Sequence, residues 1–149
     1  MATVRLLTTD LGGCTGAVFV GRNAGASDNS VGVGRQAMAR HGCAVAIGAS
    51  ANAQGSAVAV GQGAFAWLDG VAIGQAAQAA ADWGIAIGRN AMAHTGGVAI
   101  GAHTVAGGGL NIKTSQARFA IDSTHITFKI GALCRVIGGC AFFQKLGVL

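Results

Sequence analysis

Proline, tyrosine and glutamate are absent from the 149 residues, and charged residues make up only 10%, against roughly 25% in an ordinary soluble domain. With no Glu, and with Asp10, Asp28, Asp69, Asp82 and Asp122 scattered, no local carboxylate pair offers the acid and base of glycoside hydrolysis. His41, His94, His103 and His125 are isolated, without a His-x-x-x-His pair. Cys14, Cys43, Cys134 and Cys140 form no Cys-x-x-Cys pair and lack the density of a disulfide-stapled miniprotein, so free thiols in a reducing cytoplasm are expected. If the chain is threefold symmetric, His125 is the histidine whose repetition could make a metal site, alone or with Cys134 and Cys140. A solvated or locally bonded histidine is the plainer reading. Neither a Gly-x-Ser-x-Gly elbow nor a P-loop is present. The expectation is a protein without catalytic residues, metal or cofactor, not an enzyme.

No run of 18 apolar residues occurs, and Arg5 and Asp10 interrupt the stretch where an export signal would carry its apolar core. Neither membrane insertion nor export by a cleaved signal is therefore expected. What is abundant is small: 26 glycines, and a 52% hydrophobic fraction supplied largely by alanine. At about 25 cal/mol per Å² such a chain builds a thin core, which predicts shared surface with further copies.

The dominant signal is a repeat. A four-residue unit of Val or Ile, a middle residue, Val or Ile, then Gly occurs seven times, at 18–21, 31–34, 45–48, 58–61, 71–74, 85–88 and 98–101. Its glycines, Gly21, Gly34, Gly48, Gly61, Gly74, Gly88 and Gly101, are spaced by 13, 14, 13, 13, 14 and 13 residues. After each glycine, two variable residues lead into an Ala-x-Ala, as at Ala37/Ala39 and Ala91/Ala93; the last copy degenerates to Thr104/Ala106. Period-two alternation in both segments is strand patterning, and a glycine every 13 or so residues excludes helix. Two short strands per unit, stacked unit on unit, make a parallel β-roll. At about 4.8 Å per interval its seven coils form a rod roughly 29 Å long. Each motif glycine is expected in a tight turn of positive φ.

Parity assigns the faces. With the flanking Val and Ile taken as inward, the middle residues Phe19, Gly32, Ala46, Ala59, Ala72, Ala86 and Ala99 point outward. Ala46, Ala59, Ala72, Ala86 and Ala99 are then expected to form a subunit interface, since small side chains let a second backbone approach. On the second strand Gly25, Met38, Asn52, Phe65, Gln78, Met92 and Val105 are expected to face outward. Trp67 and Trp83 fall in the turns between coils, next to Asp69 and Asp82, and are candidates for facing a ligand, although covering the roll end to end or packing between subunits is the reading their large area favours. Arg22, Arg35 and Arg89 each follow a motif glycine.

The segments Asn29-Ser30-Val31-Gly32-Val33-Gly34, Ser56-Ala57-Val58-Ala59-Val60-Gly61 and the Val-Ala-Ile-Gly copies at 71–74 and 98–101 resemble the head repeat of YadA-type trimeric autotransporter adhesins. The resemblance covers about residues 17–109. It implies a left-handed parallel β-roll packed as a homotrimer, and the module is similar to segments of bacteriophage fibres. The heptad stalk and anchor strands of a complete adhesin are not seen in this sequence. The expectation is therefore an all-β bacteriophage virion component, a fibre or capsid decoration protein made in the host cytoplasm. Its expected partners are copies of itself, other virion proteins and a host-surface receptor. The alternative is a bacterial cell-surface adhesin head that binds host glycan or protein.

Residues 1–16 read as a capping or attachment arm, 17–109 as the roll, and 110–149 as a small β-module for trimerisation or attachment. The last segment carries Lys113, Arg118, Lys129, Arg135 and Lys145 against Asp122 alone, together with four of the six Phe residues. No nucleic-acid-binding motif accompanies that charge, and no nucleic-acid partner is expected.

Overall fold

The computed structural model describes residues 4–6, 16–115, 117–121, 125–130 and 133–138. All of its regular structure is β. Strand β1 (Val4–Leu6) precedes seven coils of two strands each: β2 (Val18–Val20) and β3 (Gly25–Ala26), β4 (Val31–Val33) and β5 (Met38–Arg40), β6 (Val45–Ile47) and β7 (Asn52–Gln54), β8 (Val58–Val60) and β9 (Phe65–Ala66). The series continues with β10 (Val71–Ile73) and β11 (Gln78–Ala79), β12 (Ile85–Ile87) and β13 (Met92–Ala93), β14 (Val98–Ile100) and β15 (Val105–Ala106). It ends with β16 (Leu110–Lys113), β17 (Ala117–Ile121), β18 (His125–Ile130) and β19 (Leu133–Gly138).

The coils stack in parallel and in register as a β-solenoid of seven turns. The even-numbered strands β2 to β14 pair neighbour to neighbour, with Val71 opposite Val58 and Ile85, and Ala72 opposite Ala59 and Ala86. The odd-numbered strands β3 to β15 form a second, seven-stranded sheet. At the near end of the first sheet β1 pairs antiparallel with β2, Arg5 opposite Phe19. At the far end β16 adds an eighth parallel rung, with Asn111 opposite Ala99, before β17, β18 and β19 continue the same sheet as an antiparallel meander. Leu110–Lys113 thus belongs to the roll by pairing.

Burial inverts the expected parity of the first strand. The middle residues Ala46, Ala59, Ala72, Ala86 and Ala99 are 0% exposed within a single chain, whereas the flanking Ile47 and Ile73 are each 40% exposed. The predicted subunit interface at Ala46, Ala59, Ala72, Ala86 and Ala99 is therefore corrected: these methyl groups are enclosed by their own coil and have no surface to offer. Among the described residues every buried apolar side chain is an alanine. The cause is the width of the coil. Only two residues separate each motif glycine from the first inward alanine of the second strand, so the two sheets lie too close to hold branched side chains between them. Gly32 shows how little room there is, since a Cβ there would lie 2.5 Å from the carbonyl oxygen of Gly25. The polar exceptions are Ser30, Thr104 and Asn111.

Candidate functional site

With alanine inside, the larger side chains lie on the two sheet faces and along the two turn edges. On the first sheet the outward residues form two parallel columns, Val18, Val31, Val45, Val58, Val71, Ile85 and Val98, and Val20, Val33, Ile47, Val60, Ile73, Ile87 and Ile100, all partly or fully exposed. Six of these strands therefore display a continuous β-branched surface uninterrupted by charge from β4 to β14. The second sheet displays Met38, Asn52, Phe65, Gln78 and Met92 between buried alanines, as expected. The Asn52 Oδ1 atom is buried there without a hydrogen-bond partner.

The first edge follows the motif glycines. Gly48 has φ +131°, and an added Cβ would lie 2.5 Å from the carbonyl oxygen of Gly61 in the next coil, so only glycine lets adjacent coils approach this closely. The N–H of Ala51 donates to the Gly48 carbonyl at 3.2 Å and closes the turn. Between them Ser50 has φ 58°, and its N–H donates back to Arg35 of the preceding coil at 2.8 Å. Asn23, Gln36, Ala76, Asn90 and His103 repeat this left-handed position, so the turns carry their own hydrogen-bond ladder. Side chains extend it: Gln75 Nε2 donates to Gln62 Oε1 at 3.4 Å, and Arg89 Nη2 lies 3.3 Å from His103 Nε2. Arg22, Arg35 and Arg89 are exposed along this edge.

The second edge precedes the first-sheet strands and absorbs both extra residues of the 14-residue coils, in the turns 41–44 and 80–84. Ser30 ties two coils together here: its hydroxyl donates to the His41 carbonyl at 2.9 Å and accepts the Ala44 N–H at 3.2 Å. The serine of the Asn29-Ser30 pair thus acts as a stitch between coils. Farther along, Phe65 and Trp67 stack with ring centroids 6.2 Å apart, Leu68 covers Gly55, and Trp83 is 64% exposed. The Trp83 backbone has φ 56°, a conformation uncommon for a bulky residue, and its N–H donates to the Leu68 carbonyl at 3.1 Å. Trp67 is 37% exposed. Both tryptophans are therefore surface groups on neighbouring coils, flanked by Asp69 and Asp82.

At the far end a cleft of about 440 Å³ lies beneath Gly107, Gly108 and Gly109. Its one charged lining residue, Arg118, donates through Nε to Asn111 Oδ1 at 3.0 Å, while Asn111 Nδ2 donates to the Val105 carbonyl at 2.7 Å. These bonds close the end of the alanine interior. Among the described residues no three His, Cys, Asp or Glu side chains come together as a metal site. His41, His94 and His103 are separate and exposed. The side chains of His125 and Cys134, together with Cys14 and Cys140, lie outside the described residues. No described helix is long and apolar enough to cross a membrane. Comparison with protein-family models, curated proteins and solved structures finds no match for this chain.

Proposed function

We propose that the chain is a self-assembling structural module without catalysis, three copies packing about a common axis through the Val/Ile face of the first sheet. The observation that carries this reading is the pair of β-branched columns that the alanine interior forces outward. An apolar surface of this length, exposed in one chain, marks an interaction site, and association would bury it at about 25 cal/mol per Å². The number three, and the assignment to a bacteriophage fibre or capsid decoration, rest on the resemblance to adhesin heads and phage fibres. Light scattering of the full chain tests the packing: wild type is expected at three times 14.6 kDa. The double variant Ile47→Lys with Ile73→Lys is expected to remain β-structured and fall to monomer. An unchanged mass for that variant would remove this face from the assembly.

The exposed aromatic corner favours a second reading, a bacterial adhesin head that binds host glycan or protein. In that case Trp67→Ala or Trp83→Ala abolishes saturable binding to cells or glycans while the mass stays that of wild type.

A further inference from the structure

We infer that in the assembled rod the arginine-bearing edge of each copy packs, rung for rung, against the aspartate- and tryptophan-bearing edge of the next copy. This rests on the proposed packing of the first-sheet faces about an axis. In a closed ring with the same face inward, every first-sheet strand runs in the same sense around the axis, so the end of a strand in one copy meets the beginning of the same strand in its neighbour. Point symmetry keeps equivalent rungs at equal height.

The two ends of individual rungs are chemically matched for such a contact. Strand β12 begins after Asp82 and Trp83 and ends before Arg89, and β4 begins after Asp28 and ends before Arg35. Strand β10 begins after Asp69 and ends before Gln75, a hydrogen-bond donor. The turn before β6 follows Arg40, the last residue of β5, and β6 ends before the uncharged Ala49 and Ser50. Like charges therefore never share a rung across the seam among these strands. Within one chain the members of these pairs lie six or seven residues apart, at opposite ends of a strand and therefore on opposite edges. The complementarity of Asp82 with Arg89, and of Asp69 with Gln75, thus fits a neighbour. Arg89 also contacts His103 of its own edge, which holds the guanidinium at the turn and leaves its remaining donors for the carboxylate and the indole face.

Sedimentation equilibrium of the full chain, as wild type, Arg89→Asp, Asp82→Arg and the double exchange, tests this. Circular dichroism first checks that each variant retains its β signal. Both single variants are expected to raise the concentration for half-assembly by about tenfold or more, since each places like charges across every seam. The double exchange is expected to return it to within about threefold of wild type. If either exchange disturbs folding, Asp69→Arg with and without Gln75→Asp provides the same series. An associating wild type whose single variants match it, or whose double exchange fails to recover, overturns the seam and leaves the packing of the sheet faces standing. A wild type that stays monomeric at every concentration removes that packing, and the seam with it.

Discussion

Replacing Gly48 with alanine should destabilise the roll far more than the same change at Gly63 or Gly107. At Gly48 two terms act together. An L-residue forced to φ +131° is strained by about 1–3 kcal/mol. Its methyl carbon would meet the Gly61 carbonyl oxygen at 2.5 Å and the carbonyl carbon at 2.6 Å, and relieving that overlap by moving the coil costs about 1–3 kcal/mol more. The midpoint, near 4 kcal/mol, is a large part of the roughly 5–15 kcal/mol that holds a typical domain together. At this size it lowers the melting temperature by roughly 8–16 °C. Gly63 separates the two terms: its φ is +65° and nothing lies within 4 Å of an added Cβ, so Gly63→Ala carries only the left-handed strain of about 1–2 kcal/mol. Gly107 has neither feature, and Gly107→Ala should stay within about 0.5 kcal/mol of wild type. Thermal unfolding of the three variants by circular dichroism, at one fixed protein concentration because association contributes to stability, gives the ranking. Melting temperatures for Gly48→Ala and Gly63→Ala within about 2 °C of each other would refute the close-approach argument.

Ala72→Glu puts a carboxylate into an interior that admits only methyl groups, so the expected outcome is loss of the β signal and not a folded monomer; a folded monomer would restore Ala72 to the surface. Asn52→Val removes the unpartnered Oδ1 from a strand that suits a β-branched residue and should stabilise by about 1 kcal/mol, read in the same melts. Trp83→Asn relieves a left-handed indole-bearing residue and should raise the melting temperature of the dissociated chain while weakening its assembly, as sedimentation would show. Cys43 is exposed and should be alkylated in the native protein, detected by peptide mass, without loss of the β signal.

The solenoid was legible because its period is rigid. A glycine every 13 or 14 residues and two alternating segments per period admit little else, and both strands of every coil appear where the alternation puts them. The inward face of the first strand is not legible from that strand alone, because its two alternating sets are both apolar. The second strand held the corrective signal. Its inward set is alanine in every coil but the last, where Thr104 takes one place, while Met38, Asn52, Phe65 and Gln78 vary in volume, so the space between the sheets takes small side chains from that side. A slot lined by methyl groups on one wall cannot take Val and Ile from the other. The exposure of Trp67 and Trp83 was foreseeable from their turns, but the matched ends of β4 and β12 acquire meaning only once each rung's beginning and end are placed on opposite edges.

The uniform alanine interior also makes the length of the rod adjustable in quanta. Every coil hands its neighbour the same small side chains on the inside and the same backbone ladder on top, so adding or removing a whole 13-residue coil leaves the packing of the remaining coils unchanged. Each such step shifts the distance between the two ends of the solenoid by about 4.8 Å. A 14-residue coil serves equally well because its extra residue is spent in the second turn, outside the ladder. A fractional step has no such solution, since a shift by one residue within a strand exchanges methyl groups for isoleucines across the whole lumen. Reach, for this protein, is a whole number.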